Sequence, residues 1–135
     1  MTIKVGEIKG ISSEVESKLK QRGINDSDEL LQAALTPAAR SDLAKAVGTD
    51  AKVILELANR ADLARVKGIG GVYSDLMEDA GVDTVKELAT RNSENLHEKI
   101  TEINTKRSLT ERVPTADMVS DWVGQAKDLP PMLEY

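Results

Sequence analysis

The chain has 135 residues, with 18 Lys+Arg against 23 Asp+Glu and a formal net charge of −5. That length lets one compact domain, or two small tandem units, bury a core without cross-links. Cysteine is absent, and one histidine (His97) and three aromatics (Tyr73, Trp122, Tyr135) are present. This excludes disulfides, thiol nucleophiles, iron–sulfur clusters and cysteine-ligated zinc, and leaves little for a multi-histidine metal site or an aromatic base-stacking platform.

In chain order, Ser13 with Glu16 forms a capping-box pattern and Gly23 suits the position after a helix, predicting a first helix over 13–22. Asp26 with Glu29 repeats the pattern before a short helix over 27–35. Thr36-Pro37 sets a capping hydroxyl before a proline at the first helical position, and Gly48 closes that helix. Thr49 is placed to cap a long helix reaching Val66. After Gly68-Ile69-Gly70-Gly71 the series restarts: 72–80 closed by Gly81, then 84–91, then 93–106 after Asn92-Ser93. A last helix follows Pro114-Thr115 and stops before Pro130-Pro131, where proline cannot continue it. No segment alternates with period two long enough for a sheet, so the expected fold is all-α with about eight short helices. No apolar run approaches about 18 residues, so no membrane span is expected. The start carries no signal-peptide pattern, and the lack of cysteine suits a cytoplasmic protein.

The chain resembles itself. Lys9-Gly10-Ile11 recurs as Lys67-Gly68-Ile69, Gly23 as Gly81 and Glu29-Leu30 as Glu87-Leu88, all 58 positions on. Ile8, Leu19 and Ile24 meet Val66, Met77 and Val82. At an offset of 65, Ile54, Leu57, Ala58 and Ala61 meet Val119, Trp122, Val123 and Ala126, in the i, i+3, i+4, i+7 spacing of an amphipathic helix. Between these blocks the offset is 57, so the second half carries about eight extra residues, within 104–114 and including Lys106, Arg107 and Arg112. A duplication is the reading: residues 1–66 as a first helical repeat and 51–135 as a second, sharing the long central helix within one compact domain.

The stretch from Leu63 through Lys67-Gly68-Ile69-Gly70-Gly71 to Leu76 reads helix, glycine turn, helix. It resembles the helix-hairpin-helix superfamily, whose hairpin has an apolar-Gly-apolar-Gly core, with Ile69 as the plug between Gly68 and Gly70. Ala80-Gly81-Val82 looks like that superfamily's exit from the second helix. The whole chain resembles the bacterial family called domain of unknown function 4332. The resemblance implies two tandem helix-hairpin-helix-like (SAM-like) units of about four short helices each. It also implies a hairpin that holds the nucleic-acid backbone from the minor-groove side, with little sequence readout.

The physics of such a turn is specific. Glycines admit positive φ and close approach, and a helix starting at Gly71 leaves its first N–H groups unpaired beside a lysine, an arrangement that suits a phosphate. By this carry-over Gly68, Gly70 and Gly71 supply amides and Lys67 and Arg65 supply charge. In the first half Lys9-Gly10-Ile11 runs into Ser12-Ser13 with too few preceding residues for a full first helix. It is a degenerate hairpin in which Lys9 still reaches phosphate. A Gly-Ile-Gly turn is equally a way to join two helices steeply with Ile69 buried, and that alternative stays open here.

Charge tempers the nucleic-acid reading. Residues 1–24 hold five basic and three acidic groups, whereas residues 72–102 hold three basic and eight acidic. The better hairpin therefore faces the more acidic half, and Asp75, roughly 8 Å along its helix from Gly70, is the carboxylate expected to oppose a phosphate. His97 reads as a solvated helix residue, Asp117 and Asp121 as a solvated acidic face, and Trp122 as a core anchor. Tyr73 touches a sugar or a partner, or is buried as its match Val15 suggests. The tail Leu129–Tyr135 covers the domain's own core or inserts into another subunit. Catalysis is not expected: the stretch after Gly81 lacks the glycine–proline element of helix-hairpin-helix glycosylases, and there is no GxxxxGK[ST] or HExxH motif. Two functions remain: a non-catalytic module, needing no cofactor, that binds the DNA or RNA backbone through Lys67–Gly71 with Lys9 and Gly10, or a protein-interaction or scaffold module that self-associates.

Overall fold

The computed structural model describes residues 2–135, and among these it is all-α. A 3-10 turn at Val5–Glu7 precedes α1 (Ser13–Gln21), α2 (Ser27–Ala33), α3 (Pro37–Val47), α4 (Ala51–Leu63), α5 (Gly71–Asp79), α6 (Val85–Ala89), α7 (Ser93–Arg107) and α8 (Ala116–Asp128). The described residues contain no strand, only an isolated bridge between Lys4 and Asp26. No helix is long and apolar enough to cross a membrane.

Local chemistry explains most helix ends. Asp26, Thr36, Thr84, Asn92 and Thr115 each accept a hydrogen bond from the backbone N–H three residues on, which satisfies one of the unpaired donors of the first turn. Two caps differ from expectation. Ser12, not Ser13, caps α1 by accepting from the Val15 N–H, because the chain turns helical at Ser13 itself. Asp50, not Thr49, precedes α4 and makes no side-chain cap bond, because the helix begins only at Ala51, one residue too late for the Thr49 hydroxyl to hold the cap position. Gly23 and Gly81 take φ of 81° and 88°, and Gly10 and Gly68 take 88° and 102°, so the glycines matched in sequence are also matched in backbone conformation.

Packing follows the amphipathic faces. One hydrophobic cluster runs from Val5 to Ala61 and a second from Leu63 to Ala126. Helices α2 and α3 pack on α4, and α6 and α7 pack on α8, while α1 meets α3 and α5 meets α7. Helix α4 gives Ile54, Leu57, Ala58 and Ala61 to the first cluster and ends with Leu63 in the second. The backbone bonds recur too: Ile24 N–H to Leu19 O matches Val82 N–H to Met77 O, and Ile11 N–H to Ile8 O matches Ile69 N–H to Val66 O.

The join between the clusters is polar and buried. Asp62, 4% exposed, accepts from Arg65 Nη1 at 2.8 Å through one oxygen and from the Val85 N–H at 2.8 Å through the other. In the first half the Ser27 N–H finds the Ile3 carbonyl instead, at 2.7 Å. Asp62→Ala removes both acceptors, taking the carboxylate from the Arg65 guanidinium and leaving the buried Val85 amide unpaired. We expect a loss of about 3 kcal/mol in urea unfolding, with no change in helix content at rest.

Candidate nucleic-acid interface

The turn between α4 and α5 is built as a plugged loop. Ile69 is fully buried, and its N–H is taken by the Val66 carbonyl at 3.2 Å. Gln125 on α8 clamps the preceding peptide from both sides. Its Oε1 accepts from the Lys67 N–H at 2.8 Å and its Nε2 donates to the Lys67 carbonyl at 3.1 Å. The Lys67 main chain is thereby held while its side chain stays exposed.

The three turn glycines have different jobs. Gly68 needs φ of 102°, and a Cβ there would lie 2.7 Å from Trp122 Nε1. Gly71 abuts the first half: an added Cβ would lie 2.7 Å from the Glu7 carbonyl oxygen and 3.5 Å from Lys9 Cγ. Gly70 alone of the three faces open space, with nothing within 4 Å of a Cβ. So Gly68 and Gly71 serve packing, and Gly70 marks the accessible edge of the turn.

Helix α5 starts at this edge without a side-chain cap. Ser74 N–H bonds back to the Gly70 carbonyl at 2.9 Å, but the amides of Gly70, Gly71, Val72 and Tyr73 have no hydrogen-bond partner among the described residues. Beside them the first half presents Gly6–Ile11, and a groove of about 460 Å³ runs between that segment and Gly71–Val72. Lys9 and Gly10 are exposed on one wall, and Lys9 lays its stem against Gly71. Neither Lys9 nor Lys67 has a carboxylate within ion-pair distance among the described residues. The structure thus brings Lys9 and Gly10 to one groove with Gly71, while Lys67 and Gly68 are exposed in the turn that leads into Gly70, with Ile69 buried between them.

Arg65 does not join them. Its Nη1 is bound to Asp62 and its Nη2 donates to the Pro130 carbonyl at 2.5 Å, so this guanidinium points into the fold. The expected opposition from Asp75 is also corrected. Arg60 on α4 pairs with Asp75 at 2.5 Å and with Glu78 at 2.6 Å, and Arg107 pairs with Asp79. These links span 15 to 28 residues of sequence, beyond the reach of helix-spacing rules. Arg60 and Gln125 fall at matching positions of the 65-residue offset, each one residue before the matched alanines Ala61 and Ala126. The register of the repeat was therefore the signal that could have drawn attention to both.

Other expectations sort plainly. Trp122 is a core residue, 2% exposed, and Tyr73 lies against it with ring centroids 5.4 Å apart while donating its hydroxyl to the Arg112 carbonyl. Tyr73 is half-buried against the second cluster, as its match to Val15 suggests. His97 is half-buried rather than solvated, its Nε2 3.1 Å from the Pro114 carbonyl. The extra loop is organised by Asn104, which bonds both the N–H and the carbonyl of Thr110. Lys106 pairs with Glu102 on its own helix. Among the described residues no group of three or more His, Cys, Asp or Glu could hold a metal ion.

A family model, Domain of unknown function (DUF4332), matches residues 9–129. The chain belongs to this family. No curated protein and no solved structure matches the chain. The matched span of this DUF4332 chain takes in both glycine turns, all eight described α-helices, and the Arg60–Asp75 and Gln125–Lys67 contacts, and stops one residue past α8.

Glycine substitutions separate packing from accessibility. Gly70→Ala should leave the melting temperature within the spread of surface mutants, about 0.5 kcal/mol. Gly68→Ala and Gly71→Ala should each cost about 1–3 kcal/mol through overpacking, with Gly68 also paying for its positive φ. Thermal melts of the three variants side by side read this order.

Proposed function

We propose that the chain is a non-catalytic module of two helix-hairpin-helix-like units, residues 1–66 and 51–135 sharing α4, that holds the sugar-phosphate backbone of DNA or RNA without reading sequence. The observation that carries this reading is the start of α5: four consecutive unpaired amides at an open glycine, flanked by Lys67 from one turn and Lys9 from the other. Unpaired amides at the positive end of a helix dipole favour an oxyanion, and backbone contacts of this kind position a protein without specifying bases. Two lysines without carboxylate partners lower the cost of bringing a phosphate close. The pairing of Asp75, Glu78 and Asp79 with arginines offsets the acidic charge of α5, and Glu7, exposed on the groove wall, is the carboxylate a phosphate would still meet there.

The net charge of −5 sets the strength. With two to four phosphates neutralised, log Kobs should fall with log salt at a slope of about −2 to −4, and a dimer or partner would add avidity. The interaction-module reading has less support: the only large hydrophobic residues exposed among those described are Val72 and Tyr135, scattered rather than forming a patch.

Fluorescence anisotropy with labelled duplex and single strands at low salt is the direct test. Micromolar binding that is insensitive to sequence and is lowered several-fold by Lys9→Glu or Lys67→Glu supports the module. Conversely, Arg65→Gln, read in the same titration, should change affinity less than either lysine reversal, because its guanidinium faces Asp62. Binding absent at tens of micromolar, or indifferent to both lysine reversals, removes the reading and leaves the scaffold role.

A further inference from the structure

The last six residues return across the molecule. Helix α8 belongs to the second cluster, yet Met132 and Leu133 pack against the first. Leu129 leaves α8 in an extended conformation, and Pro130-Pro131 continue it stiffly, since each ring locks φ and neither residue offers an N–H. Residue 134 is then pinned at both main-chain polar groups. Its N–H donates to the Leu35 carbonyl at 2.8 Å, and its carbonyl accepts from Arg40 Nη2 at 2.6 Å. Tyr135 donates to Asn59 Oδ1 at 3.1 Å and sets its ring 5.9 Å from the Arg40 guanidinium carbon. The tail therefore covers the chain's own core.

Arg40 is the odd group. It is 4% exposed, and its hydrogen bonds go to two neutral acceptors, the Ala34 and Glu134 carbonyls. Arg60, Arg65, Arg91 and Arg107 all have carboxylates; Arg40, more buried than any of these, has none within ion-pair distance among the described residues. A guanidinium held dry without a counter-charge pays a desolvation cost that hydration would return. Closing the tail gains three main-chain bonds, at the Pro130 carbonyl and at both polar groups of residue 134, and the cover of Met132 and Leu133. Opening it rehydrates Arg40. The two tendencies oppose each other at a single residue, and Pro130-Pro131 set a stiff lever at the hinge. The family match ends at residue 129, immediately before this lever.

We propose that residues 130–135 form a releasable strap that lifts as a unit while both helical clusters stay folded, with Arg40 as its latch. Lifting uncovers the part of the first cluster that Met132 and Leu133 overlie, and opens a route for water to Arg40.

Native-state hydrogen exchange of the full chain tests this at one reporter, the Glu134 amide. Its protection should be measurable but at least about 100-fold below that of α4 amides such as Leu57, with almost no dependence on denaturant, the signature of local opening. Arg40→Lys keeps the charge but cannot make both bonds with one planar fork. It should lower Glu134 protection about tenfold and leave the α4 amides unchanged. Exchange of Glu134 in step with α4, an unprotected Glu134 amide, or a uniform loss of protection in Arg40→Lys would overturn the strap. Should Arg40→Lys fail to fold, the denaturant dependence in the unaltered chain decides alone.

Discussion

One helix has to satisfy two cores. Helix α4 is apolar on the face toward the first cluster, and its last turn enters the second, where main-chain groups of the following loop are also buried. Burial of that kind is tolerable only if every donor and acceptor finds a partner. Asp62 supplies it, joining Arg65 to the first amide of α6 with one carboxylate. Arg60, two residues earlier, reaches the opposite way and ties α5 through Asp75, Glu78 and the Ser74 hydroxyl. The end of α4 is consequently cross-linked to two helices of the second half within a single turn, and the angle of the glycine loop follows from that.

The same polar bookkeeping shapes the proposed interface. The loop is rigid because Gln125 and Trp122 grip it from α8, yet the helix it opens into is left uncapped where six of the other seven are capped by side chains. An uncapped start at a surface glycine is cheap in water, which solvates the amides, and it keeps them available. Acidic residues crowd α5, but the arginines that pair with them come from α4 and α7. An acidic sequence thus sets two lysines without ion pairs near one exposed carboxylate, Glu7, and the second lysine comes from the first turn of the chain.

Glycine shows how much of this was legible. That Gly68, Gly70 and Gly71 form a turn around a buried Ile69 could be read from spacing alone, as could the match to Gly10. That Gly71 exists to let the Glu7 carbonyl approach, and Gly68 to let Trp122 lie across it, could not, because both contacts join segments more than 50 residues apart. Arg65 and Lys67 carry the same sign two positions apart, and nothing in the pattern separates an inward cation from an outward one. The tail was equally ambiguous: an apolar run after two prolines suits the chain's own core as well as a neighbour's.

What the sequence determined by itself is the all-α fold and the positions of the eight described helices to within a few residues. Those properties are local: caps, glycine φ, proline stops and the 3.6-residue period act over a turn or two of chain. Tertiary structure alone decided which charges face outward, which glycine is open and where the tail lies. Ion pairs and close backbone contacts depend on which helices meet, and Arg40 with Glu134, 94 residues apart, has no trace in spacing because only packing brings them together.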